Sequence, residues 1–164
     1  MLTAHVVAND DAIALAETLA ALVPAAIDGL VRRVVVITRG EPDEDVAALI
    51  DASGAAHVVA SDDPMEMWGR PAEDHAGEWS LYLLAGLTPV SDWADMVARH
   101  VSRPKAGPAV FALAGGWRVR AATLARRISG RRDPAWGLLA RGDAGKGSGV
   151  TRLAATLEDR RDRS

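Results

Sequence analysis

A chain of 164 residues that is 49% hydrophobic has the size and apolar content of one globular domain with a core of its own. Its lack of cysteine excludes both a disulfide framework and a thiolate metal site, and no apolar run nears the roughly 20 residues that span a bilayer. The net charge of −3 conceals an asymmetry: −13 through Ala98, from 4 Arg and 17 acids, against +10 from Arg99 onward, from 15 Lys or Arg and 5 acids.

In chain order, Leu2 to Val7 is apolar and β-branched enough for a first strand. Asn9, Asp10 and Asp11 follow as N-cap candidates for an alanine-rich helix that reaches about Val23 and stops near Pro24. Val34 to Thr38, VVVIT, is the strongest strand signal, a continuous β-branched run of the kind buried on both faces of a parallel sheet. Arg39 to Pro42 makes the turn after it. Pro42 suits the first helical position, the acids Asp43 to Asp45 complement the helix dipole, and Gly54 ends that helix. His57 to Ala60 is a third strand, and Ser61 to Ala76, broken by Pro64, Gly69 and Pro71, reads as loop.

The chain is organised around Trp79 to Trp93, WSLYLLAGLTPVSDW. Ser80 to Ala85 reads as a buried strand, and Ser91 opens a helix with Trp93, Met96, Val97 and Val101 on one face. Ligands of α/β sheets bind outside the carboxyl ends of the strands, which places Ala85, Gly86, Leu87 and Thr88 in an expected loop of chemistry, although none of the four carries a charge. Beyond it, Arg103 to Pro108 is loop, Ala109 to Leu113 a strand, Arg118 to Ser129 a basic helix, and Trp136 to Ala140 a short strand. Arg141 to Gly149 is a glycine-rich connector, and Val150 to Leu157 is expected as a terminal helix that frays into a charged tail. The expectation is a single α/β domain over residues 1–164, with a mostly parallel central sheet flanked by helices.

Several constellations fall to plainer readings. In GDAGKGSG, Gly142 to Gly149, Lys146 is followed by Gly147, so the spacing of a phosphate loop fails and a connector explains the glycines. His5, His57, His75 and His100 have no partners at metal-ligand spacing. Asp74, His75 and Ser80 lie too close in sequence to persuade as a triad. Four of the five tryptophans read as packing, while Trp68, in a polar loop beside Gly69 and Arg70, is the candidate for binding. The basic half has few aromatics beside its arginines, so it gives little support to nucleic acid. A protein partner or peripheral contact with a membrane surface stays open for it. The opening MLTAHVVAND lacks the regions of a signal peptide, which sets the expectation of a cytoplasmic protein.

From about His5 to Arg141 the sequence resembles the family 2 glycosyltransferases of the nucleotide-diphospho-sugar (GT-A) fold, especially short bacterial cell-wall-type members. AHVVANDDAIALAETLAALVPAAIDGLVRRVVVI resembles the family's opening strand, Asn-Glu loop, Thr-Leu helix and second strand. GEPD at Gly40 to Asp43 is similar to its Asp-Gly-Gly-Ser-Thr-Asp turn, Ser61 and Gly69-Arg70 to its Ser and Gly-Arg-Gly loop, and GLLAR at Gly137 to its Gly-Leu-Leu-Ile. The resemblance implies transfer of a sugar from a sugar nucleotide held by Asn9, Asp10, Thr38, Arg39, Gly40, Asp43, Ser61, Arg70 and Gly86.

The departures fall on the functional positions. Thr38 stands where the family's base-contacting Asp is found. Gly86 stands at the Asp-x-Asp-type position that would imply Mg²⁺ or Mn²⁺, so no metal and no other cofactor is expected. Asp133 is the sole weak counterpart of the catalytic base. Two classes of function follow: a divergent sugar-nucleotide transferase relying on arginines, and a catalytically silent relative that serves as a binding or scaffold subunit. The same alignment expects the carboxyl ends of the Val34 to Ile37 and Leu81 to Leu84 strands to lie together, with Thr38, Arg39 and Gly86 lining one cleft.

Overall fold

The computed structural model describes residues 1–8, 10–60, 79–90, 92–114, 137–141 and 151–159. Asn9, Ser61, Trp68, Arg70, Asp74, His75, Ser91, the helix expected at Arg118 to Ser129, Asp133 and the Gly142 to Gly149 connector lie outside those residues.

The first half alternates strand and helix. Strand β1 (Leu2–Val7) leads to helix α1 (Ala12–Ile27), then β2 (Val31–Arg39), α2 (Glu44–Ser53) and β3 (Ala56–Ala60). Each helix is capped by sequence-local chemistry. Asp11 accepts from the Ala14 amide at 2.9 Å and Asp43 from the Val46 amide at 2.9 Å, each satisfying a backbone donor that the first helical turn leaves unpaired. Glu44 and Asp45 add negative charge to the first turn of α2, and Gly54 closes it in the left-handed region at φ 68°. Pro42 precedes the cap of α2 instead of occupying its first helical position.

Strand β4 (Trp79–Leu84), β5 (Leu87–Val90), helix α3 (Trp93–Val101), β6 (Ala109–Ala114), β7 (Leu138–Arg141) and β8 (Thr151–Asp159) follow. The eight strands form one sheet in the order β3-β2-β1-β4-β7-β6-β8-β5. Its first four strands are parallel. Beyond them the sheet is mixed: β7 runs antiparallel to β4 and β6, β8 parallel to β6, and β5 antiparallel to β8.

Alternation along β1 separates two apolar clusters. Leu2, Ala4 and Val6 pack with Leu15 and Leu22 of α1, Val46 and Ile50 of α2, and Trp93 and Val97 of α3. Val7 joins Val35, Ile37 and Tyr82 in the second cluster. On that face His5, fully buried, meets Ser80 Oγ at 3.3 Å and stacks on the Tyr82 ring at 4.9 Å. Trp79 and Trp93 are core residues, as their positions beside strand and helix suggested. The Trp79 ring makes a T-shaped contact with His100 at 5.7 Å between centroids, and the Arg141 guanidinium lies over it at 5.6 Å.

Three further expectations are corrected. Helix α1 does not stop at Pro24 but includes it and ends at Ile27. The amide that proline lacks would have bonded the carbonyl of Ala20, which is exposed, so water can take the place of the lost bond. The expected loop at Leu87 and Thr88 is strand β5, with both residues buried; only Ala85 and Gly86 turn. The terminal helix is strand β8. Leu153 and Leu157, four apart, share a face at either period, and Ala155, buried between them, fits the strand alone. The edges of β6 and β5 then both find their hydrogen-bond partner in β8.

Candidate functional site

The parallel registers bring the carboxyl ends of β2, β1 and β4 to one edge of the sheet. Val7 of β1 aligns with Ile37 on one side and Leu84 on the other. The ladder continues one step past the strands, with the Ala8 amide donating to Ile37 O at 2.9 Å and the Ala85 amide to Val7 O at 2.8 Å. This is the edge at which open α/β sheets bind ligands. Asp10, Thr38, Arg39, Gly40, Asp43 and Gly86 all belong to it, but they do not play equal parts.

The β4 end is closed. Gly86 is buried, and its amide points into α1, donating to Ala14 O at 3.0 Å and Thr18 Oγ1 at 2.9 Å. Thr18 in turn donates back to Ala14 O at 3.0 Å, so its hydroxyl ties the β4–β5 turn to the second turn of α1. The turn places Gly86 at φ 87°, in the left-handed region where a side chain costs about 1–2 kcal/mol. Glycine here is a requirement of the turn. The place offers no oxygen side chain to a divalent cation, and among the described residues no three His, Asp or Glu come together as a metal site. The Mg²⁺ or Mn²⁺ that the resemblance implies therefore has no fit at Gly86.

The β2 end is open. Thr38 is buried and sits at the centre of a short relay. Its hydroxyl donates to Gly40 O at 2.8 Å and lies 2.8 Å from His57 Nε2. With its one hydrogen given to Gly40, Thr38 Oγ1 accepts from His57, which assigns the ring proton to Nε2. His57 is exposed on the neighbouring edge strand, and Arg39, next along β2, presents an exposed guanidinium. Asp43 spends one carboxylate oxygen on the α2 cap, and Asp10 is exposed beside the cap of α1.

Thr38, Arg39 and Gly40 thus form one turn, Asp43 frames it, and Gly86 shares the edge but faces α1. Asn9, Ser61, Arg70 and Asp133 lie outside the described residues. Sequence reasoning missed His57 and Thr18. For His57 the only available signal was its place near the start of a strand beside the β2 end. A threonine inside an alanine-rich helix gave none.

No protein-family model matches the chain, and no curated protein does. Solved structures do. Glucosyl-3-phosphoglycerate synthase from Mycobacterium tuberculosis in complex with Mg²⁺ and uridine-diphosphate is similar at a TM-score of 0.63 and 17% identity, over 87% of this chain and 57% of that one. The complex of that synthase with Mn²⁺ and uridine-diphosphate-glucose gives a TM-score of 0.60 at 15% identity, over 87% and 56%. Its complex with phosphoglyceric acid gives 0.61 at 17%, over 87% and 57%. The chain spans a little over half the length of these structures. At such identity the likeness shows the fold, an α/β domain of GT-A type with a parallel four-stranded core.

Proposed function

We propose that this domain binds a nucleoside-diphosphate sugar at the carboxyl edge of β2 and β1 and belongs to a divergent sugar-transfer system that uses arginine in place of a metal at the Gly86 position. The observation that carries this reading is the parallel β3-β2-β1-β4 core, whose likeness to structures holding uridine-diphosphate-glucose comes with an open β2 end. Transfer of a sugar from such a donor leaves negative charge on the departing diphosphate. A guanidinium stabilises that charge with paired, charge-assisted hydrogen bonds without needing a ligand set. On this reading Arg39 meets the anionic ligand, with Arg70 as the second cation that the resemblance supplies.

Calorimetry with uridine-diphosphate-glucose and other nucleoside-diphosphate sugars, with and without Mn²⁺, tests the reading. Binding that is unchanged by the metal and weakened about tenfold in Arg39→Ala is the expected result, since a hydrogen bond to a charged group contributes about 1.5–3 kcal/mol. Affinity that rises sharply with Mn²⁺ overturns the metal-free part of the proposal.

The second reading is a catalytically silent relative that keeps the fold as a binding or scaffold subunit. The closed Gly86 turn favours it, because the position at which the resemblance places an acid is built into a buried contact with α1. Wild-type protein that binds none of the sugar nucleotides would select this reading.

A further inference from the structure

Helix α1 is apolar on both sides. Its inner face is core, and Glu17, half-buried at the flank of the outer face, is its one charged residue. Ile13 is 76% exposed, Val23 51% and Ile27 80%, with Ala20 exposed and Ala16 half-buried on the same stripe. These five positions follow the 3-4-3-4 spacing of a helix seam. Met1, 71% exposed, lies beside the end of the stripe, because the Leu2 amide bonds Leu30 O at 2.9 Å. Four of the five large exposed hydrophobic residues among those described are therefore gathered on or next to one helix.

We propose that α1 is the two-fold interface of a homodimer, its outer stripe packed antiparallel against the same stripe of a second copy and crossing at Ala20. An isologous interface must be complementary to itself, with residue i meeting j and j meeting i. The stripe meets that condition. Ile13 and Ile27 stand seven residues to either side of Ala20, so each meets the other across the axis, Ala16 and Val23 fill the layers four residues before and three after it, and alanine at the centre lets the two backbones approach. Size points to a pair of modest affinity. The stripe with Met1 offers on the order of 600 Å² per copy, so a pair buries about 1,200 Å², the lower bound of specific interfaces.

Charge supplies the signature that separates this occupant from another. Residues 1–30 contain Asp10, Asp11, Glu17 and Asp28 and no Lys or Arg. An antiparallel pair brings the acidic N-terminal end of one α1 toward Asp28 of the other, so screening by salt strengthens self-association. Docking of a basic partner helix would instead weaken as salt is added.

Sedimentation equilibrium of the full chain from about 5 to 500 µM, at low and high NaCl, spans the affinity expected for an interface of this size. The expected result is a monomer–dimer equilibrium that tightens with salt and weakens at least tenfold in Ile27→Glu. The wild-type chain has no cysteine, so Ala20→Cys reports the crossing directly. Axes about 10 Å apart, with Cα atoms about 2.3 Å from each axis, leave facing Cα atoms about 5.4 Å apart, within the disulfide range. Ala20→Cys should form a disulfide dimer under mild oxidant, while Ala48→Cys, exposed on α2, should not. A monomer at every concentration and salt, a dimer that weakens with salt, or equal cross-linking of the two variants overturns the proposal.

Discussion

Gly86→Asp restores the residue type that the resemblance places at this position, and the structure expects it to damage the fold without creating a metal site. The backbone there has φ 87°, which costs a non-glycine residue about 1–2 kcal/mol. The Gly86 amide is held by Ala14 O and Thr18 Oγ1, and moving it to relieve that strain leaves buried groups unpaired at about 1–3 kcal/mol each. A carboxylate introduced at this buried turn adds desolvation. The total is on the order of 3–5 kcal/mol, in the range reserved for strain and buried charge. Urea denaturation of wild type and Gly86→Asp measures it, and calorimetry with uridine-diphosphate-glucose and Mn²⁺ reads the binding side. A variant as stable as wild type that also gains Mn²⁺-dependent affinity would refute the account of a closed turn.

Further outcomes follow from other parts of the fold. Gly137→Ala should destabilise by about 2–4 kcal/mol in the same denaturation assay, because φ is 70° and the added Cβ would lie 2.5 Å from Leu157 Cδ1 and 3.1 Å from Phe111 Cβ. Thr38→Val removes the acceptor of His57 and the donor to Gly40 and should cost about 1–2 kcal/mol. Its mark is a shifted His57 ring resonance by NMR, and an unchanged resonance would deny the relay. Tyr82, the chain's one tyrosine, has its pKa raised by burial, partly offset by a hydrogen bond from Ser80. A raised folded-state pKa means that this contribution to stability is intact below the unfolded value of about 10 and is lost as pH climbs through the folded value. Phenolate absorbance near 295 nm should therefore appear together with unfolding in alkali, and its appearance in folded protein near pH 10 would contradict the burial.

What the sequence made legible was the part built from local signals. The VVVIT strand, Asp11 as a cap, and Gly54 as a helix stop need only nearby residues to be read, and each stands as those residues indicated, whereas the cap of the second helix fell on Asp43, one residue past the proline expected to open it. The errors occurred where partners far along the chain decide. The four-residue spacing of Leu153 and Leu157 suits helix and strand alike, and the choice belongs to β6 and β5, which lie some forty to seventy residues earlier. Leu87 and Thr88 looked like loop because they follow a strand and a glycine, but β8 recruits them into the sheet. At the site, the family resemblance expected the carboxyl ends of the second and fourth strands to lie together, and the parallel registers bring them to one edge. The His57 relay was not visible, since it depends on which residues of two parallel strands stand beside each other.

The two ends of the carboxyl edge therefore differ in what they can still do. At the end of β4, Thr18 has joined the turn to α1, and the Gly86 amide N–H is already engaged by Thr18 Oγ1 and Ala14 O. At the end of β2, the buried Thr38 fixes a turn whose flanking groups, Arg39 and His57, remain exposed. A ligand drawn to this edge by charge would, on the proposed reading, meet its cation on β2 and no carboxylate at Gly86, which suits an anion held by arginine. On the proposed reading, recognition has moved from a metal-bridged diphosphate near β4 to direct contact with arginine near β2. Metal dependence and sensitivity to Arg39→Ala should for that reason be opposed: a domain that shows the second should lack the first.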